Sequence, residues 1–466
     1  MLKLIKTVIL SLFLLIPTTI TFSDTTPLSK TQIKTIIEQR IDKHKKSVGI
    51  AIGFISPTEN KILTRGKLSL DAKTDISEQT FFEIGSISKV FTTLLLADMV
   101  EKGEVKLDDP ISKYLPKSVK TPTKNGKEIT LLHLATHTSG LPRLPTNLIA
   151  VAKDFENPYA DYTQEHLYQF LSNYTLTREI GAEYEYSNLG MGILGHILSL
   201  HAATSYENLL VTRICKPLQM HDTKILLSSE DKLRLAHGHD QKLIPTKNWD
   251  FAVLSGAGAI RSTLQDLLKF ATAYLNISKT ELSNAMQKSL AVYNSSNIPN
   301  IDVALGWHLS KDHNRQIFWH SGQTGGYHSY ISFDKNSLTA VVILSNSTND
   351  IDDIGRHLME SQFNLITFDD TQEHKAIKLD DPQIFDAYVG QYEITPDFIL
   401  TISRQGEHFF VQATKQPKFE IFPESKQKFF LTQIQAQIEF LKDHTGQVIQ
   451  LILHQNGNSI SAKKIK

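Results

Sequence analysis

The chain has 466 residues, too many for one ordinary domain and enough for one large and one small one. Its 49 Lys and Arg balance 49 Asp and Glu, which removes any global charge that would steer nucleic acid or an anionic membrane. The single cysteine, Cys215, excludes an internal disulfide and a cysteine-based zinc site, and its apolar neighbours read as a buried thiol.

The first 23 residues read as a signal peptide. Lys3 and Lys6 precede an apolar run from Val8 to Ile16, Pro17 breaks it, and Thr21 and Ser23 are small residues before Asp24. The run is short for a membrane span, and no cysteine stands near it for a lipid anchor. Export to the periplasm or the medium is the expectation, with membrane contact only through an uncleaved leader.

Ser29 to Lys46 reads as a helix. Ser29 and Gln32 form a capping box, and Ile33, Ile36, Ile37 and Ile41 make one apolar stripe. Val48 to Ser56 and Lys61 to Thr64 read as a hairpin around Pro57-Thr58-Glu59-Asn60. Next comes Phe82-Glu83-Ile84-Gly85-Ser86-Ile87-Ser88-Lys89, followed by the helical run Val90, Phe91, Leu94, Leu95, Leu96, Met99 and Val100, with Gly103 as its stop. Residues three apart share a helix face, so Lys89 projects beside the Ser86 hydroxyl. The free N–H groups of the first turn also face whatever Ser86 attacks. Alone, a serine three before a lysine is weak evidence and reads as a capped helix with a surface lysine.

Thr130-Leu131-Leu132-His133-Leu134-Ala135-Thr136-His137-Thr138-Ser139-Gly140-Leu141-Pro142 begins as a helical turn and stops at Gly and Pro. His133 and His137 lack the glutamate of a zincin motif and read as a helix-to-loop junction, so no metal is expected. Helices are expected at Gln164 to Asn173, Met191 to Leu200, Tyr206 to Ile214 and Thr263 to Leu275. Before the second of these lies Glu183-Tyr184-Glu185-Tyr186-Ser187-Asn188-Leu189-Gly190, which puts Tyr186 and Asn188 on a loop at a helix start. A phenol close to Lys89 would feel a cation, which lowers its pKa and suits it to take the Ser86 proton. Asn188 is placed to hold a substrate amide or Lys89.

Gly256-Ala257-Gly258 lacks the third glycine of a dinucleotide fingerprint and reads as close backbone packing, so no cofactor is expected. Strands follow at Gln316 to His320, Tyr327 to Asp334 and Thr339 to Ser345, with a closing helix over Asp352 to Phe363. Trp319-His320-Ser321-Gly322-Gln323-Thr324-Gly325-Gly326-Tyr327 ends the first strand in a glycine-rich turn. A strand edge there can lie along a bound acyl chain, and the Gln323 N–H is a candidate oxyanion donor beside that of Ser86. His320 and Ser321 are candidates to contact a substrate carboxylate or to support Tyr186. The fold expected is α/β: an antiparallel sheet from both chain ends, flanked by helices, with a helical middle.

Residues 369–381 turn polar and charged and read as a linker. Beyond it the period becomes two, with seven candidate strands: Phe398 to Ser403, His408 to Ala413, Lys418 to Phe422, Lys428 to Thr432, Gln437 to Leu441, Gln447 to Leu453 and Ser459 to Ala462. Short turns, Asn456-Gly457 among them, argue for a small all-β antiparallel barrel over 382–466. Phe409, Phe410, Phe419, Phe422, Phe429 and Phe430 read as its core.

Ser-x-x-Lys, Tyr-x-Asn and His-Ser-Gly in that order, with the flanking segments quoted and Gly256 to Ser262, resemble the serine β-lactamase and penicillin-binding protein superfamily. The resemblance is to its class C β-lactamase-like branch, over roughly Ile33 to Phe363, and the tail resembles a lipocalin-like β-domain. It implies a β-lactamase/transpeptidase-like fold over 24–368 and an acyl-enzyme on Ser86, with Lys89 relaying protons and Tyr186 as the base. It implies further that Asn188 contacts substrate and that His320, Ser321, Gly322 and Gln323 form the substrate-side strand. The implied partners are β-lactams, peptidoglycan-type peptides or esters. One departure stands out: class C β-lactamases carry lysine where this chain has His320, and histidine occurs there in D-alanyl-D-alanine peptidase relatives. A carboxylesterase on the same scaffold, and a penicillin-sensing or peptidoglycan-binding module that acylates without turnover, are the alternatives. The tail carries no catalytic set and is expected to cover the cleft or mediate assembly; subunit number has no signal in the sequence.

Overall fold

The structure, a computed structural model, describes residues 27–466 except 277–278, 297, 299, 312–314, 369–375, 379–381, 396–397, 415, 417, 433–435, 444 and 456–457. The expected leader, the turn at Asn456-Gly457 and most of the expected linker lie outside the described residues.

Helix α1 (Lys30–Glu38) starts at Ser29, whose side chain and that of Gln32 form the reciprocal capping box. A π-turn over Gln39–Lys43 extends it. Strands β1 (Gly49–Ile55) and β2 (Asn60–Gly66) make the hairpin. Helix α2 (Ser88–Glu101) is buried at every position from Ser88 to Met99, so its apolar residues run all round rather than in one stripe. Helix α3 (Asn188–His201) and helix α4 (Leu264–Tyr274) follow.

The second half of the sheet is β3 (Asn294–Ser295), β4 (Ile301–Val303), β5 (His308–Ser310), β6 (Ile317–Gln323), β7 (His328–Asp334) and β8 (Thr339–Ser345), closed by helix α5 (Asp352–Met359). The sheet is antiparallel and eight-stranded, in the order β2-β1-β8-β7-β6-β5-β4-β3. Three short strands before β6 add to the expectation; at two or three residues each they carry no readable alternation.

Both faces of the sheet are covered. Ile50, Ile52 and Phe54 of β1 pack with Ile33, Ile36 and Ile37 of α1 and Ile354 and Leu358 of α5. Their alternates Ala51 and Ile55 join Phe91 of α2 and Leu264, Leu267 and Phe270 of α4 in the main core.

The tail is a closed antiparallel barrel of eight strands: β9 (Gly390–Thr395), β10 (Phe398–Gln405), β11 (His408–Ala413), β12 (Lys418–Pro423), β13 (Lys428–Leu431), β14 (Ala436–Lys442), β15 (Val448–Gln455) and β16 (Asn458–Lys464). The eighth strand, β9, was not among the seven expected. It closes the barrel by pairing Tyr392 with Lys464 on β16. A 3₁₀ segment, Pro382–Tyr388, supplies Phe385 and Tyr388 to the core, where Tyr388 stacks on Phe440 at 4.4 Å. Phe409 and Phe429 line the interior and Phe419 packs against it. Phe410, Phe422 and Phe430 lie outside that cluster, contrary to expectation, because successive strand residues face opposite ways.

Candidate active site

The strand Phe81–Glu83 pairs with Arg261–Thr263 and delivers the chain to Gly85. Glu83 is held there by Arg261 Nη2 at 3.1 Å and the Trp249 N–H at 3.0 Å. Gly85 has φ +48°, a left-handed turn that glycine adopts without strain. Ser86 follows in the 3₁₀ turn Gly85–Ile87 that opens into α2. A Cβ at Gly85 would lie 2.6 Å from the Gln323 nitrogen, so the turn lies hard against the end of β6.

Lys89 is fully buried one turn on. Its Nζ donates to Ser86 Oγ at 2.8 Å and to the Ala257 carbonyl at 2.7 Å. The segment Gly256-Ala257-Gly258 thus anchors the lysine, and a Cβ at Gly256 would strike the Met191 carbonyl of α3 at 2.8 Å. Burial, and then the Arg143 guanidinium, hold the Lys89 amine well below the usual lysine range.

Tyr186 is half-buried, with its hydroxyl within hydrogen-bond reach of Ser86. Its ring centroid is 4.8 Å from Lys89 Nζ and 5.1 Å from the Arg143 guanidinium carbon. Burial dominates over the Ser86 hydroxyl and the Arg143 charge and pushes the phenol above its ordinary value, the reverse of the lowering expected from a neighbouring lysine. The expectation counted the charge and left out the desolvation. His137 packs its ring on Tyr186 at 4.6 Å and accepts the Ser187 N–H at 3.0 Å, fastening this loop to the Thr130 stretch.

Asn188 begins α3. Its Nδ2 donates to the Tyr159 hydroxyl at 3.0 Å, and its Oδ1 is buried with no protein partner among the described residues. It does not touch Lys89, whose two partners are Ser86 and Ala257.

His320, Ser321, Gly322 and Gln323 lie in sequence on β6. His320 is buried, its ring 6.2 Å from that of Tyr186 and 5.4 Å from that of His308. Its Nδ1 sits 2.6 Å from the Ser321 carbonyl oxygen, an acceptor, which assigns the ring proton to Nδ1. Nε2 is then a buried lone pair with no partner among the described residues. Burial, His308 and Lys89 hold this imidazole well below its usual value. Burial likewise brings His308 down to about 4.

Ser86, Lys89, Tyr186 and the β6 edge therefore lie together, with Asn188 two residues beyond Tyr186 at the start of α3. The sequence reading passed over Arg143, Tyr159 and His308. Arg143 directly follows the quoted Gly140-Leu141-Pro142 stop, and nothing in its spacing marks it. Away from the cleft, His328, Asp350 and Asp352 bring ligand atoms within 4.8 Å of one another. The His328–Asp352 contact at 3.0 Å and the Asp350 side chain accepting the Asp352 N–H account for that group.

The family model described as Beta-lactamase matches residues 36–361, and one for a domain of unknown function (DUF3471) matches residues 374–464. An Escherichia coli K12 protein named D-alanyl-D-alanine-carboxypeptidase/endopeptidase AmpH is 31% identical over 278 residues, 57% of this chain and 70% of that protein. Penicillin-binding protein 4* of Bacillus subtilis strain 168 is 25% identical over 435 residues, 86% of this chain and 91% of its own. In fold, the octameric penicillin-binding protein homologue from Pyrococcus abyssi matches with a TM-score of 0.64 at 20% identity, over 94% of this chain and 100% of that one.

Proposed function

We propose that this chain, which belongs to the beta-lactamase family, is an exported serine hydrolase that forms an acyl-enzyme on Ser86. Its substrates are amides or esters near a D-alanine-like end, β-lactams and peptidoglycan-type peptides among them. The observation that carries this reading is the Lys89 amine 2.8 Å from the Ser86 hydroxyl, with the Tyr186 hydroxyl in reach of the same oxygen.

The chemistry runs from those contacts. Ser86 Oγ attacks the substrate carbonyl carbon while its proton passes to the Lys89 amine. An amine depressed by burial is unprotonated more readily near neutral pH and can accept it. The resemblance gives the base role to Tyr186, but a phenol raised by burial holds its proton and suits the next step. The oxyanion forms beside the Ser86 and Gln323 amides. As it collapses, the C–N or C–O bond breaks and the leaving group takes the Tyr186 proton. Lys89 returns its proton to Tyr186, leaving the acyl–Ser86 ester. Water then attacks that ester by the same relay run in reverse.

A fluorescent penicillin or a fluorophosphonate is expected to label the wild type, and Ser86→Ala to abolish the label. Labelling that survives in Ser86→Ala overturns the assignment. The neutral His320 on β6 favours a second reading, a carboxylesterase on the same scaffold. Turnover of p-nitrophenyl butyrate with none of nitrocefin would select it. Export rests on the composition of residues 1–23, and N-terminal sequencing of the secreted or periplasmic protein is expected to start near Asp24.

A further inference from the structure

Strand β6 carries no lysine or arginine. His320 is held neutral with its proton turned to the Ser321 carbonyl, so it presents a lone pair, which a carboxylate repels. The Lys89 amine is occupied by Ser86 and Ala257.

The opposite side is different. Arg143 is exposed, yet its backbone is pinned, its carbonyl accepting the N–H groups of Asn188 at 3.0 Å and Leu189 at 3.2 Å. Its guanidinium stands over the Tyr186 ring at 5.1 Å, and its field reaches Lys89, Tyr159 and His137. Among the described residues no carboxylate lies within ion-pair distance of it, and the nearby Glu185 is taken by Arg178 at 2.6 Å. Every other arginine except Arg356 pairs with a carboxylate. Beside Arg143, the buried Asn188 Oδ1 still lacks a donor. A planar guanidinium fork matches a carboxylate, and an amide oxygen matches an N–H.

We propose that Arg143 is the receptor for a substrate carboxylate, which makes it a specificity-determining residue for acyl donors that carry a carboxylate next to an amide. This rests on the Ser86 acyl-enzyme reading. The cation stands on the Tyr186 side of the site and not on the β6 strand, and the amide N–H falls to Asn188.

The test pairs two depsipeptide esters that differ only in a free carboxylate or its methyl ester. The quantity read is the ratio of their kcat/KM values in wild type, Arg143→Gln and Arg143→Lys. A charge-assisted contact predicts a preference for the carboxylate of about 10- to 100-fold in wild type. Arg143→Gln should bring the ratio near one, mainly through KM, and Arg143→Lys should restore part of it. Equilibrium binding of the carboxylate product to Ser86→Ala, with and without Arg143→Gln, reads the same contact apart from chemistry. An unchanged ratio in Arg143→Gln, or no preference in wild type, overturns this assignment alone. Turnover persisting in Ser86→Ala overturns the acyl-enzyme reading instead.

Discussion

Gly322 lies so close to the turn carrying Ser86 that a Cβ on it would stand 3.0 Å from the Ser86 amide nitrogen and 2.1 Å from the Ile84 carbonyl oxygen. The same added carbon would meet Ser329 Oγ at 2.5 Å, a hydroxyl that donates to Ile84 at 2.8 Å. Two backbones meet here with the Ser329 hydroxyl bonded to the carbonyls of both. That contact sets the Ser86 and Gln323 amides beside each other. Gly322→Ala must push them apart, and displacing an oxyanion donor costs about 100- to 1,000-fold in kcat. Steady-state kinetics on an activated ester checks this; kcat within threefold of wild type would be the contrary result.

The Lys89 amine acts as a base only when unprotonated, so kcat/KM for a neutral ester should rise with pH through its depressed pKa. The groups facing it are Arg143, Tyr186, His137, His308 and His320. The three imidazoles are held below their usual value, so they stay neutral on this limb. Arg143 lowers Lys89, so Arg143→Gln should move the limb to higher pH. A shift to lower pH, or none, would contradict the electrostatics.

The same burial makes Lys89 a cost to the fold. Its folded pKa lies below the unfolded one, so between the two the unfolded chain binds a proton that the folded chain does not. Stability therefore rises with pH across that window and is penalised at neutral pH. Lys89→Met removes the penalty and fills similar space. It should abolish ester turnover while raising Tm at pH 7 by about 2 °C or more. Calorimetry reads this, and a fall in Tm would refute it.

In the barrel, Phe440 stacks on Tyr388 and meets Phe429 edge-on at 5.6 Å. Phe440→Ala leaves a cavity among aromatic rings and should cost about 3–5 kcal/mol of barrel stability in a urea melt. A loss below about 1 kcal/mol would mean that the 3₁₀ segment does not hold the interior. Removing residues 382–466 should change substrate range or oligomeric size, read by a substrate panel and light scattering; no change in either removes a covering or assembly role for the barrel.

Much of the scaffold is legible because its signals are local. The Ser29–Gln32 box, the alternating faces of β1 and the three-residue step from Ser86 to Lys89 each depend on neighbours in the chain. Strand β9 was missed because its meaning lies in a partner, β16, that enters at the far end of the barrel. Phe385 and Tyr388 were missed because a 3₁₀ turn carries no periodic signature.

The chain's order of residues alone determined which groups could do chemistry here: a hydroxyl and an amine on one helical turn, a phenol at a helix start, and an imidazole on the strand that runs into the glycine-rich turn. Only the tertiary structure decided their charge. Desolvation depends on what packs around a group from distant segments, and here it outweighs the pairwise attraction visible from motif spacing. It lowers Lys89, raises Tyr186 and neutralises His320. The loop that pins Arg143 to the start of α3 then places over the Tyr186 ring a cation with no carboxylate partner among the described residues, a position that no local pattern encodes.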